Sequence, residues 1–449
     1  MHLKLKNIGV LKNADIDLSK DLIVLCGHNN TGKTYATYSV YGFFRILNDI
    51  ELKLDYSDNE ISEIFSKFTI NIDLYEYFLK IEDKVINEIS STINHLIKDI
   101  FASKEEFFSK SEIKLEFNRD ILEKKIFESV IEQKIIINKR QKEVLYFYKS
   151  EKSRVMTAYY TVYEDSLETK RFLIKKIEEN ILKIIINLFF NSIYIAPAER
   201  LAINLFNKEI SIRRNSLFSN PLFSNFEEKK NIINENKRYS IPIVDSLYVA
   251  EDLENLQKNK SDFSYIADMI EVEILKGKID ISSHGEMQFN PNESKKSHLG
   301  IHLTGSVVKS LSSIVFYFRH LAKKNDFIII DEPELNLHPD NQRIIAKIIA
   351  KIVNNGFKVM ISTHSDYIIR ELNNLIMLKS GKEKSTKLLE KYNYKNEELL
   401  DYNNVGVYFF DKNKANKIKV DKTGFEINSI DKEIISLNES SEDIYFSLF

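Results

Sequence analysis

The sequence predicts an α/β fold: a mixed sheet flanked by helices, built from both chain ends, with a mainly helical segment inserted between them. Three observations predict it. The opening residues read strand, turn, strand, strand, Gly-rich loop and helix, with strands at 1–8, 14–18 and 22–26. After Gly305 the chain alternates again, with helical periodicity over 307–322, 341–353 and 366–375 and buried strands at 327–330 and 358–361. Alternating strands and helices build a parallel sheet. Between the two ends, from about 51 to 191, Lys/Glu-rich stretches such as 79–101 and 171–190 carry helical spacing instead.

The chain of 449 residues is expected to divide into an N-terminal lobe (1–50), the insertion (51–191), a connecting region (192–300) and a C-terminal lobe (301–449). Its 43% hydrophobic and 29% charged residues suit a globular protein with a sizeable core. With 64 basic and 66 acidic residues there is no global pull toward nucleic acid or membrane, so DNA contact would need a local patch. The single cysteine, Cys26, excludes an internal disulfide and a Cys-based zinc site; at the end of an apolar strand it reads as a buried, inert thiol. No histidine set has metal-ligand spacing. No N-terminal targeting pattern and no apolar stretch of about 18 residues occur, so a soluble, cytoplasmic protein is expected.

Within the interior, 153–163 is rich in aromatic and β-branched residues and reads as a short β element, 192–198 as a return strand, and 215–236 as an Asn/Ser-rich loop. Segments 276–281 and 286–289 flank Ser283-His284-Gly285, a hairpin signal. Lys134, Lys139, Arg140, Lys142, Lys149, Lys152 and Arg154 surround Tyr146, Phe147 and Tyr148. That mixture suits a track for a phosphate backbone. Glu132, Glu143 and Glu151 dilute it, so a solvated helical face is the expectation.

The chemistry starts at Gly27-His28-Asn29-Asn30-Thr31-Gly32-Lys33-Thr34, which matches the phosphate-cradling P-loop pattern and has the strand before it and helix after it that the pattern requires. Glycines let the chain turn sharply and bring its amides to the phosphates, at the positive end of a helix. Lys33 is expected to bridge the β- and γ-phosphates, and the Thr34 hydroxyl to bind Mg²⁺. The chain is therefore read as a nucleoside triphosphate binder, with ATP and Mg²⁺ as cofactors.

The run Phe327 to Ile330 ends in Asp331-Glu332-Pro333-Glu334, two carboxylates and then a third at the tip of a buried strand. Asp331 is placed as the metal partner, through water, and Glu332 as the general base that polarises the attacking water. His364, in Ser362-Thr363-His364-Ser365, caps the next buried strand and is placed on the γ-phosphate.

This order of P-loop, large insertion, Ser/Gly helix start, acids and histidine resembles the ABC-type ATPases of the RecF, SMC and OLD group. Within it the chain is most similar to stand-alone ATPases of bacterial antiphage systems such as PARIS and Septu. The similarity covers about 1–47 and 303–378, with Ile195-Ala196-Pro197-Ala198-Glu199-Arg200-Leu201 and Leu335-Asn336-Leu337-His338-Pro339 as further phrases. The resemblance implies that Thr304, Gly305 and Ser306 form the signature element that meets the γ-phosphate held by a second protomer, although they depart from the usual Ser-Gly-Gly. It also puts Asn336 and His338 on a loop that crosses the dimer interface; no Q-loop glutamine can be named, and Glu199 and Arg200 are candidates for that region only. It implies an ATPase working as a homo-oligomer, at least a dimer, and a sensor that controls a separately encoded effector, a Toprim or HNH nuclease, on a phage-encoded trigger. A nuclease domain of its own is not expected, because about seventy residues follow the last sheet motif and Asp411, Asp421 and Asp431 read as scattered acids without strand context. A RecF-like DNA-repair ATPase and a slow ATP-dependent scaffold are the alternatives.

Overall fold

A computed structural model describes residues 1–47, 69–138, 143–161, 166–206, 239–292 and 298–449. The expected loop at 215–236, and Lys139, Arg140 and Lys142 of the basic run, lie outside the described residues. In chain order the strands are β1 (His2–Ile8), β2 (Leu11–Asp17), β3 (Leu22–Gly27), β4 (Thr69–Asp73), β5 (Glu112–Glu116), β6 (Ile131–Asn138), β7 (Glu143–Lys149), β8 (Val155–Thr161), β9 (Ile193–Ala196), β10 (Gly277–Ile281), β11 (Met287–Pro291), β12 (Leu299–Gly300), β13 (Phe327–Asp331), β14 (Lys358–Thr363), β15 (Val405–Asp411) and β16 (Lys414–Ile418). The principal helices are α1 (Lys33–Leu47), α2 (Leu74–Ile100), α3 (Arg119–Glu128), α4 (Leu167–Asn187), α5 (Ile241–Glu251), α6 (Ser306–Phe316), α7 (Pro339–Asn354), α8 (Asp366–Ser380) and α9 (Asn428–Leu448).

Nine strands form one mixed sheet in the order β5-β1-β2-β16-β15-β3-β14-β13-β9. The β15-β3-β14-β13-β9 part is parallel, and β5, β1 and β2 add an antiparallel wing. The central strands are buried on both faces, which is why they read as unbroken apolar runs rather than alternating ones. Ile23 and Leu25 enter one core with α1, α2 and α4, while Leu22, Val24 and Cys26 enter the other with α6, α7 and α8. In α7, Ile345, Ile348, Ile349 and Ile352 recur at helical spacing and are all buried. Each such side chain contributes about 1.5–3 kcal/mol relative to exposure. Pro339 opens α7 where no amide donor is needed, and Ser365 caps α8 by accepting from the Ile368 amide at 3.1 Å. No described helix is long and apolar enough to cross a membrane.

The α/β class with a head built from both chain ends is as read, and β10 and β11 pair across the expected hairpin. Three features differ. The segment from 69 to 191 holds more strand than one short β element: β4, β8, β7 and β6 form a four-stranded sheet of their own, and β5 joins the principal sheet beside β1. The basic run is not a helical face. Lys134 lies on β6 and Tyr146 on β7, the Lys149 ammonium is buried on the Ser129, Ser150 and Ser153 carbonyls, and Arg154 pairs with Asp73 and Glu123. Finally, Asp411 does have strand context, as the last residue of β15, which lies directly against the P-loop strand β3. Its run Val405 to Phe410 is short, apolar and buried, a pattern that periodicity alone does not separate from a helix segment.

Candidate active site

Parallel pairing in register brings three strand ends to one line: Cys26 is opposite Thr363, and Ser362 is opposite Asp331. The loop after β3, the histidine after β14 and the acids of β13 therefore emerge side by side. Gly27 leaves β3 at φ +134°, and a Cβ there would sit 2.3 Å from the Phe410 carbonyl oxygen of β15, so glycine is required on both counts. Asn30 (φ +62°) and Gly32 (φ +104°) complete the turn, with Asn29 exposed beside them. The Thr31 hydroxyl donates to the His28 carbonyl at 2.8 Å and so pins the loop. Lys33 is buried, its ammonium donating to the Gly27 and His28 carbonyls at 3.1 and 2.8 Å. Burial lowers its pKa, while Asp331 and Glu332 act the other way. Thr34, one residue into α1, is exposed.

Asp331 is 1% exposed. One carboxylate oxygen accepts from the Ser362 hydroxyl, and the other, Oδ2, has no hydrogen-bond partner among the described residues. Burial pushes its pKa up to about 6, with the charges of Glu332 and Glu199 adding and the Ser362 hydroxyl opposing. A buried carboxylate oxygen without a donor fits a hard divalent cation. A metal held by one carboxylate, one hydroxyl and substrate phosphates is how Mg²⁺ is usually bound.

Glu332 adopts a left-handed backbone (φ +50°), uncommon for a side chain of its size. Its amide donates to the Ser362 carbonyl at 3.1 Å. His364 Nε2 stands 3.9 Å from Glu332 Oε1. Burial, then the nearby Lys33 charge, holds the imidazole below its ordinary pKa, with the Glu332 charge opposing.

Two supports escaped the sequence reading. Arg200, 1% exposed, donates to the Ser310, Pro197, Asp331 and Glu332 carbonyls at 2.9, 3.0, 2.6 and 2.7 Å. Assigned only to the Q-loop region, it in fact braces α6, the end of β9 and both acids at once. Glu334 Oε1 accepts from the Thr363 hydroxyl and the His364 amide at 2.9 and 2.7 Å, tying the acidic loop to the histidine. A lone arginine after a strand carries no local signal of such a role. Glu199 accepts from the Tyr38 hydroxyl of α1 at 2.6 Å.

Thr304, Gly305 and Ser306 lie apart from these bonds. The Thr304 hydroxyl is committed to the Ile301 carbonyl at 2.7 Å. Gly305 caps α6 without a side-chain bond, and a Cβ added there would meet nothing within 4 Å. Ser306 is exposed, and its hydroxyl has no hydrogen-bond partner among the described residues. His338 is also exposed, 3.3 Å from Asp340.

Asp331 supplies a pH-dependent prediction. Its folded pKa of about 6 lies above its ordinary 3.8, so the native state takes up a proton more readily than the unfolded chain. Its ionisation thus costs stability above pH 6, and the cost fades as pH falls toward 4. Asp331→Asn should therefore stabilise nucleotide-free protein at pH 8 by on the order of 3 kcal/mol at most and so raise its melting temperature, with the gain shrinking near pH 4.5. Scanning calorimetry at the two pH values checks this; an unchanged or lower melting temperature at pH 8 would contradict it.

No curated protein matches the chain. Among solved structures it is similar to an Smc head bound to the C-terminal winged-helix domain of ScpA, with 13% identity, 94% of this chain and 98% of that one covered, and a TM-score of 0.37. An Smc head domain with an extended coiled coil, bound to the C-terminal domain of ScpA and derived from Pyrococcus furiosus, gives 11% identity, 98% coverage of both chains and a TM-score of 0.31. Residues 1–369 match the family model of the AAA ATPase domain. With that match over most of its length and a P-loop, Asp331, Glu332 and His364 at adjacent strand ends, the chain belongs to the AAA ATPase domain family and is an ATP-binding ATPase.

Proposed function

We propose that this ATPase is of ABC type and works as an oligomer, at least a dimer, holding Mg²⁺-ATP between copies. The observation that carries this reading is the convergence of Lys33, Asp331 with its free oxygen, Glu332 and His364, set against an exposed, unbonded helix start at Gly305 and Ser306. The loop amides and Lys33 bind the β- and γ-phosphates of one bound ATP, and Ser306 of a second copy faces the γ-phosphate from outside. Thr34 and Asp331 hold Mg²⁺, which when bound supplies positive charge against the phosphate oxygens. Glu332 accepts the proton of the attacking water, and Arg200 and Ser362 hold its backbone in place meanwhile. His364 reaches the γ-phosphate from the strand between the P-loop and the acids.

Mixing is the test. Lys33→Ala and Ser306→Arg copies, each inactive alone, should regain part of the ATPase activity when co-assembled, because mixed pairs contain one site with both good halves. No recovery in a mixture shown to co-assemble would contradict shared sites.

On the motif resemblance, the ATPase acts as the sensor and regulatory subunit of a bacterial antiphage system. It holds or licenses a separately encoded Toprim or HNH nuclease until a phage-encoded trigger arrives. The purified chain with Mg²⁺ or Mn²⁺ and ATP should leave DNA and tRNA intact, and Lys33→Ala should abolish phage protection in cells that carry the effector. Nuclease activity that survives Lys33→Ala and tracks with the protein would overturn this. Duplex binding with a steep salt dependence would instead favour a DNA-repair ATPase.

A further inference from the structure

Helix α4 carries a buried acid, Glu178, that pairs with no cation among the described residues. It is 1% exposed, and its Oε1 accepts from the Tyr77 hydroxyl of α2 at 2.7 Å. Its other oxygen has no hydrogen-bond partner among the described residues. Other buried glutamates are matched. Glu271 pairs with Arg319 at 2.7 Å, Glu371 with Arg343 at 2.8 Å and Glu398 with Lys351 at 3.3 Å. The adjacent Glu179 pairs with Lys176 at 2.8 Å. Burying an ionised carboxylate alone is costly, so an unmatched one asks what its counter-charge is.

The acid stands on the wall of a pocket. A cavity of about 360 Å³ lies between β4, α2 and α4, where Glu178 and Tyr77 meet Ile70, Ile72, Ile174 and Ile177. Small-ligand sites span about 300–1,000 Å³ and combine apolar walls with a few convergent polar groups. The other charged residues of the pocket do not neutralise Glu178. Asp73 is spent capping α2 and on Arg154, and Glu76 adds an exposed carboxylate. Lys80 is exposed and forms no ion pair with Glu178.

These walls select a ligand class. Four isoleucines suit a short aliphatic chain, and carboxylates repel an anion. A buried carboxylate with a free oxygen suits a positively charged donor, since such hydrogen bonds are the strong ones. We propose that the pocket binds a primary aliphatic ammonium ion, its chain on the isoleucines and its charge on Glu178, with the Tyr77 hydroxyl holding the carboxylate in place. The site shares no residue with the P-loop or the acids of β13.

Binding of this kind moves a proton. Burial, with the Glu179 charge adding, pushes the Glu178 carboxyl up to about 8. It is therefore mostly protonated at pH 7 in the free protein, and an arriving ammonium ionises it and displaces the proton.

Isothermal titration of the full, nucleotide-free chain with n-butylammonium chloride tests the proposal. One site should saturate, and at pH 7 the heat should differ between phosphate and Tris buffers because a proton is released. That difference should fade at pH 9, where the carboxyl is already ionised. Glu178→Gln keeps an acceptor for Tyr77 and should bind at least tenfold more weakly with no loss in melting temperature. n-Butanol, the same chain without the charge, should also bind at least tenfold more weakly. Nα-acetyl-lysine amide and 1,4-diaminobutane then separate the sources: tighter binding of the first marks a partner's lysine side chain, of the second a free polyamine. No saturable binding, equal affinity in the Glu178→Gln variant, or butanol bound as tightly as the amine would each overturn the proposal.

Discussion

Glu332→Gln is expected to bind ATP as the parent protein does and to lose turnover by at least ~10²-fold, the usual weight of a positioned general base. The amide keeps the shape and length of the carboxylate but cannot take a proton from water. Its backbone should stay where it is, because the left-handed turn at 332 is held by Arg200 on the carbonyl and Ser362 on the amide, and neither bond uses the side chain. Lys33→Ala should separate the two steps from the other side. It removes the cation that faces the phosphates and so abolishes binding itself. Measuring nucleotide affinity and single-turnover hydrolysis on both variants resolves the pair. A Gln variant that hydrolysed ATP at the parent rate would remove Glu332 from the mechanism.

Arg200→Ala is expected to destabilise the protein by about 3–5 kcal/mol, the cost found when one partner of a buried charged network is removed. Four carbonyls, those of Ser310, Pro197, Asp331 and Glu332, lose the guanidinium in a site water does not reach freely, although the residue-200 and Leu335 amides still donate to those of Pro197 and Glu332. Arg200→Lys should fold, since it keeps a charge, but an ammonium on a flexible stem cannot span carbonyls from three segments as the guanidinium does. In that variant turnover should fall while ATP affinity holds, because Arg200 touches the acids and not Lys33. Denaturant unfolding and a binding-against-turnover comparison read the two effects. A loss under ~1 kcal/mol in the Ala variant, or a Lys variant weakened in binding and turnover alike, would make Arg200 a packing residue only.

The P-loop, the acids and the histidine were legible because each is a local pattern: an apolar run, then a residue whose chemistry or backbone freedom is needed at the next position. Gly27, Asn30 and Gly32 are residues that accept positive φ, and all three adopt it. What one chain segment says about itself stops there. The strand β15 is separated in sequence from β3 by nearly the whole chain, yet its Phe410 carbonyl is what forbids a side chain at Gly27. Arg200 draws its four acceptors from segments as far apart as 197 and 332. The basic run at 134–154, which helical charge patterning described poorly, became strands because β8 and β4 were there to pair and a core was there to cover. Periodicity and turn chemistry act over a few residues and are written in order along the sequence. Pairing and burial act between segments whose separation costs only a slowly growing closure entropy, so sequence distance says little about which will meet. The sequence by itself determined which residues can hold phosphate, metal and water; the tertiary structure alone decided which backbone groups hold those residues in place.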